Sequence, residues 1–156
     1  MSKEVFSEIV LFNLIELHRR PVSFVSGVFL RDHLNSMLRP CCFAHVLPKG
    51  QNKFPYFKHY AKNVVLLTPE EHHMWDHGTE EERIQYAMSI EERTRGKGTA
   101  DWQKLKDLRD ELKKEYDKHF PSRRGLIVGY KYDAHEVFNI VSRLNKEHWQ
   151  SLKTKL

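Results

Sequence analysis

The sequence predicts an α+β fold in which two short strands and a helix are flanked by further helices. Three observations carry this reading. Two brief apolar runs, Cys42 to Leu47 and Val64 to Leu67, have strand length and are each closed by turn or capping residues. The second run passes directly into Thr68-Pro69-Glu70-Glu71, with a capping Thr, Pro at the first helical position and Glu at the third. Long segments on both sides repeat apolar residues at helical spacing. With 156 residues, 40% of them hydrophobic, the chain can bury one ordinary core. The expected organisation is one compact domain with an N-terminal helix and strand scaffold over 1–38, a core over 39–80 and a helical extension over 81–156.

Taken in order, residues 3–19 place Val5, Phe6, Ile9, Val10, Phe12, Leu14 and Leu17 at helical spacing, and Pro21 closes the helix. Val22 to Leu30 carries Ser26-Gly27 in its middle, which predicts a short strand, a turn and a second apolar stretch. His33 to Pro40 fits a short helix or a loop equally well. His45 then stands on the first apolar run, which breaks at Pro48-Lys49-Gly50. Asn63 opens the second run. In the helix that follows, His72 and Asp76 form one i, i+4 pair and His73 and His77 another, so each pair shares a face.

Gly78 is placed to end that helix, and Thr79 with Glu82 predicts a capping box for another, through about Ile90. Glu91 to Gly98 reads as a charged, glycine-punctuated linker. Ala100 to Phe120 carries Trp102, Leu105, Leu108, Leu112, Tyr116 and Phe120 on one stripe and ends at Pro121. Leu126 to Val128 has strand character, and Asp133 with Glu136 predicts the cap of a last helix bearing Val137, Ile140, Val141, Leu144 and Leu152.

Charge narrows the function classes. The formal net charge is +5 and the sequence pI about 9.2, which favours an acidic partner such as nucleic acid. From His33 to Pro69 there is no Asp or Glu, while Arg39, Lys49, Lys53, Lys58 and Lys62 are present, and five of the 10 histidines fall between Cys41 and Gly78. Acidic and polar residues interrupt the N-terminal apolar pattern, which fits neither a signal peptide nor a membrane span. The two cysteines, Cys41 and Cys42, are adjacent and cannot form a disulfide framework, so a reducing cytoplasm is expected.

The ordered His45, Asn63 and His72, with His72 nine residues after Asn63, resemble the HNH endonucleases of the ββα-metal class, with the step seen in the colicin DNases. The wording FAHVLPKG, then NVVLLTPEEHHMWDHGT, is similar to a phage-type branch of that family. The resemblance covers roughly residues 22–80 of the 156. It implies a ββα-metal (HNH) core with flanking helices, DNA as partner, no membrane, and hydrolysis of phosphodiester bonds with a divalent ion, Mg, Mn, Ni or Zn. The sequence departs from the family at Ala44, where many members carry Asp or His as a ligand, and it has no CxxC pair for a structural zinc.

Within that resemblance His45 is the general base, since neutral imidazole can take a proton from water near pH 7. Asn63 is expected to bridge the strands and loop so that the His45 ring is held. His72 and Asp76 are the expected metal ligands, with His73 and His77 as a rival pair. Lys49, Lys53, Lys58 and Lys62 are candidate phosphate contacts, Arg123, Arg124 and Lys131 an extension of the basic surface. Phe54, Tyr56, Phe57 and Tyr60 interleave with the loop lysines and fit either base stacking or burial. Two other readings remain open: a catalytically silent HNH-like module that binds nucleic acid or protein, and a metal-stabilised structural domain.

Overall fold

The structure, a computed structural model, describes residues 7–50, 53–121, 123–124, 127–128 and 131–154. Val5 and Phe6 of the expected first helix, Leu126 of the expected late strand and the side chains of Arg123 and Arg124 lie outside the described residues. The elements in chain order are α1 (Glu8–His18), α2 (Arg31–Leu34), β1 (Phe43–His45), β2 (Val64–Leu66), α3 (Pro69–His77), α4 (Glu80–Arg93), α5 (Trp102–His119), β3 (Arg123–Arg124), β4 (Ile127–Val128) and α6 (Ala134–Thr154). The fold is therefore α+β and dominated by helices. β1 and β2 pair antiparallel in the register Phe43↔Leu66, Ala44↔Val65, His45↔Val64, and β3 pairs antiparallel with β4.

The chain forms two compact units interleaved in sequence, with breaks after residues 19, 46, 63 and 108, so that the middle two fall inside the 39–80 segment. One comprises residues 1–19, 47–63 and 109–156. Its core holds Leu11, Ile15, Leu112, Val141 and Leu144 together with an aromatic cluster. Phe57 stacks edge-on against Tyr60 and Tyr116, and Tyr56 packs on Phe120 and Tyr132. The aromatics of the 47–63 loop are thus spent on packing, which is the commoner use of such residues under a long loop. Asn145 of α6 clamps the loop by donating to the His59 carbonyl at 3.0 Å and accepting from the Ala61 amide at 2.8 Å. Arg19 donates to the Ala61 carbonyl at 2.8 Å, and burial lowers its pKa to about 10.

The other unit comprises residues 20–46 and 64–108, around Leu30, Phe43, Leu66, Met74, Tyr86, Ile90 and Leu105. The expected turn at Ser26-Gly27 forms, with Gly27 at φ +73 and a single antiparallel bridge from Val22 to Phe29. The ambiguous stretch after Leu30 resolves into α2 and a 3-10 turn over Arg39–Cys42. α3 begins as its sequence dictates: Thr68 accepts from the Glu71 amide at 3.1 Å while Glu71 accepts from the Thr68 amide at 2.8 Å. Gly78 ends it with an extended backbone at φ −81, so what requires glycine is close approach, since a Cβ there would lie 2.6 Å from the Met74 carbonyl oxygen.

Two boundaries and one cap differ from expectation. α4 runs to Arg93, past Ile90, because Thr94 ends it: its hydroxyl donates to the Ile90 carbonyl at 2.7 Å and accepts from the Gly98 amide at 2.9 Å. Of the Thr79 capping box only half forms, the Glu82 amide donating to Thr79 at 3.1 Å. α5 starts at Trp102, two residues after the expected Ala100. α6 begins as expected, the Glu136 amide donating to Asp133 at 2.8 Å.

Candidate functional site

His45 closes β1 and is half-buried, with neighbours on both sides, Ala44 and Val46, fully or almost fully buried. Side chains alternate along a strand, so Ala44 and His45 face opposite ways. Ala44 is paired with buried Val65, and a carboxylate at that position would enter the apolar interior, which accounts for a small apolar residue there. The departure at Ala44 thus has a packing reason.

Asn63 is fully buried and uses both ends of its amide. Its Oδ1 accepts from the Leu47 amide at 2.8 Å, and its Nδ2 donates to the carbonyls of Leu47 and Phe57, both at 3.2 Å. One side chain therefore closes the 47–63 loop at its base, immediately after the β1 segment in sequence and immediately before β2. An alanine here would leave the Leu47 amide and carbonyl without the Asn63 bonds, while the Phe57 carbonyl would still accept from the Tyr60 amide at 3.1 Å.

His72 occupies the first turns of α3 and is held from behind. Its Nδ1 lies 2.7 Å from the Cys41 carbonyl oxygen, which can only accept, so the Nδ1 nitrogen carries the proton. Nε2 then presents its lone pair, and Asp76 Oδ2 stands 3.1 Å from it. Two acceptors at that separation need a second proton or a cation between them. Donors about 2.1 Å from an octahedral ion lie roughly 3.0 Å apart along an edge, so the pair fits a chelated hard divalent cation. A backbone carbonyl fixing the far nitrogen of a ligating imidazole is the usual supporting arrangement. Among the described residues no group of three or more His, Cys, Asp or Glu side chains gathers to hold a metal. His72 and Asp76 would supply two ligands, and water or phosphate oxygens the rest.

The helix that carries the pair is fixed by a contact network that spacing alone does not reveal. The Glu71 carboxylate is fully buried and accepts from the hydroxyls of Ser23 at 2.6 Å, Ser26 at 2.5 Å and Tyr86 at 2.8 Å, besides the Thr68 amide. The Ser-Gly turn is thus tied to the start of α3 through one carboxylate. At the other end Arg83 donates to the Met74 carbonyl at 3.0 Å and the Gly78 carbonyl at 3.1 Å, satisfying terminal acceptors of α3. The capping motif identified Glu71, and nothing local to it identified the three hydroxyls.

His73 and His77 lie on the adjacent face of α3, both exposed, with ring centroids 5.4 Å apart. Of the four loop lysines, Lys62 is engaged by two carboxylates of α5, Glu111 and Glu115, each at 2.7 Å. Burial lowers its pKa, and the hydrogen bonds to Glu111 and Glu115 outweigh that, so the net shift is upward. Lys49 pairs with Glu8 at 2.6 Å on the exposed surface, where such a pair contributes little. Lys53 is exposed and Lys58 half-buried. The expected consequence is unequal: Lys53→Ala should reduce the slope of log DNA affinity against log salt by about one, and Lys62→Ala should leave it unchanged. A slope that falls equally in both variants would show that DNA displaces the glutamates from Lys62.

Comparison with protein-family models, with characterised proteins and with solved structures finds no match to this chain, so the functional reading rests on these side chains and their geometry.

Proposed function

We propose that the protein is a divalent-metal-dependent endonuclease of the HNH (ββα-metal) class that hydrolyses DNA phosphodiester bonds. One observation carries the reading: the His72 imidazole, locked by the Cys41 carbonyl, presents Nε2 at 3.1 Å from Asp76, on a capped helix that follows a strand pair bearing His45. The excess of basic residues between His33 and Pro69 supplies the attraction for a polyanion.

In this mechanism His45 takes the proton from the attacking water, so that hydroxide character develops at neutral pH without a free hydroxide. His72 and Asp76 would hold the divalent ion, and Asn63 keeps the segment after His45 in place through Leu47. A divalent ion bound there supplies positive charge against the charge that develops on phosphorus oxygens and on the departing 3′ oxygen. Attack at phosphorus with loss of that oxygen leaves 5′-phosphate and 3′-hydroxyl ends.

The rival is a catalytically silent module of the same class that binds nucleic acid. It is favoured by one observation, the two-residue donor set among the described residues. Both readings are tested by four variants in a supercoiled-plasmid nicking assay. His72→Ala and Asp76→Ala should each collapse the rate, while His73→Ala and His77→Ala should retain most of it. If the second pair proves essential and the first dispensable, the ligand assignment fails. Mobility shifts without cutting in the wild type would favour the silent module.

A further inference from the structure

The geometry points to a second metal site on the neighbouring face of the same helix: His73 and His77 form a chelating imidazole pair for a borderline-soft transition ion such as Zn, Ni, Co or Cu, separate from the His72 and Asp76 pair and of different selectivity.

The spacing and geometry agree. Residues four apart on α3 stack on one face, and here both are imidazoles and both are exposed. Their ring centroids are 5.4 Å apart. Two imidazoles that share a tetrahedral ion through nitrogens about 2.1 Å from it have centroids roughly 5 Å apart, so small side-chain rotations bring both onto one ion. The tilt of 50° between the rings is compatible with two nitrogens converging on a point rather than with face-to-face stacking. Neither ring is committed to the backbone contact that locks His72.

The donor types separate the two sites. Two imidazole nitrogens without a carboxylate select Zn, Ni, Co or Cu over Mg, whereas nitrogen with a hard carboxylate oxygen at an octahedral edge also accepts Mg and Mn. Glu70 lies one turn before His73 on the same side of the helix, and both border a groove with Glu81 and Glu82 of α4. These carboxylates give the face a negative potential that favours a cation. They do not complete a three-residue ligand group, so water fills the other positions and the ion remains exchangeable. Adjacent residues on a helix differ by about 100° in direction, which places the two pairs on different faces and lets each be loaded without the other.

The test uses the full chain without an added histidine tag, stripped of metal. Zn is titrated calorimetrically, and Cu is added as a spectroscopic probe whose visible band moves to shorter wavelength as imidazole nitrogens replace water. Loss of one arm of a chelate costs effective concentration, so His73→Ala and His77→Ala should each weaken Zn binding at this site by about tenfold or more and remove the two-imidazole Cu band. The His72→Ala, Asp76→Ala double variant should keep both signals. Circular dichroism checks that these exposed substitutions leave the helix intact. Zn affinity and Cu band unchanged in His73→Ala and His77→Ala would overturn the inference, as would their loss in the double variant alone. The readout is binding, so the outcome is independent of whether the protein cleaves DNA.

Discussion

His45→Ala should reduce DNA cleavage by about two to four orders of magnitude while leaving metal affinity and DNA affinity close to wild type. That range is what a positioned general base contributes to proton transfer. The residue is half-buried at the end of β1, and the proposed metal ligands are His72 and Asp76, so truncating His45 would remove the proposed proton acceptor without removing a ligand. Rate constants from single-turnover cleavage, set beside a metal titration, separate the two roles. Loss of metal binding in the variant would make His45 a ligand. An unchanged rate would leave the water to be activated by some other group.

The largest effect on stability is expected at Glu71. Truncation to Ala leaves the hydroxyls of Ser23, Ser26 and Tyr86 and the Thr68 amide facing a buried gap, three of them previously bonded at 2.5 to 2.8 Å and the fourth at 2.8 Å. Each buried donor left without its acceptor costs about 1 to 3 kcal/mol, so the loss of four such bonds should cost several kcal/mol in all. Tyr86→Phe removes one donor and should cost about 1 to 2 kcal/mol. Urea unfolding midpoints, at constant slope, measure both.

The same network makes an alkaline prediction. Burial raises the Tyr86 pKa, the Glu71 charge and the hydrogen bond to it raise it further, and its ordinary value is 10.0. A phenol whose folded pKa is raised contributes stability that is complete below its unfolded value and is lost as pH rises from there towards the folded one. Stability should therefore fall above about pH 10 in wild type and fall less steeply in Tyr86→Phe. Tyr60 is shifted the same way, by burial first and then by Glu115, so the slope should not vanish in the variant.

What was legible in the sequence was what is decided within a turn or two of the chain. Thr68, Pro69 and Glu71 mark the start of α3 because a cap is a contact across three residues. The i, i+4 rule likewise set His72 beside Asp76 before any coordinates. The stripe on α5 was readable since burial of Trp102, Leu105, Leu112 and Tyr116 follows the helical period. Contacts between distant parts of the chain were not readable. Lys62 looked like a phosphate contact because its neighbourhood has no acid, yet its two carboxylates come from α5, 49 and 53 residues later. Ser26 reads as an ordinary turn residue and Ser23 carries no signal of its own, yet both donate to Glu71, 45 and 48 residues away. Local charge patterns thus predict a segment's own surface poorly when a distant helix covers it. Ala44 is the opposite case, a position where the HNH endonucleases that the sequence resembles often carry a ligand and where full burial suits a small apolar residue.

The proposed metal-dependent hydrolysis of DNA is tested most directly by metal add-back. Protein stripped of metal is mixed with supercoiled plasmid, and Mg, Mn, Ni or Zn is supplied singly, with products resolved by gel and their ends labelled. Nicked or linear plasmid should appear only when a divalent ion is present, carrying 5′-phosphate and 3′-hydroxyl ends, and should disappear when the ion is chelated. Plasmid that stays supercoiled with every ion, while the protein retards it on the gel, would contradict the account and leave a nucleic-acid-binding module in its place.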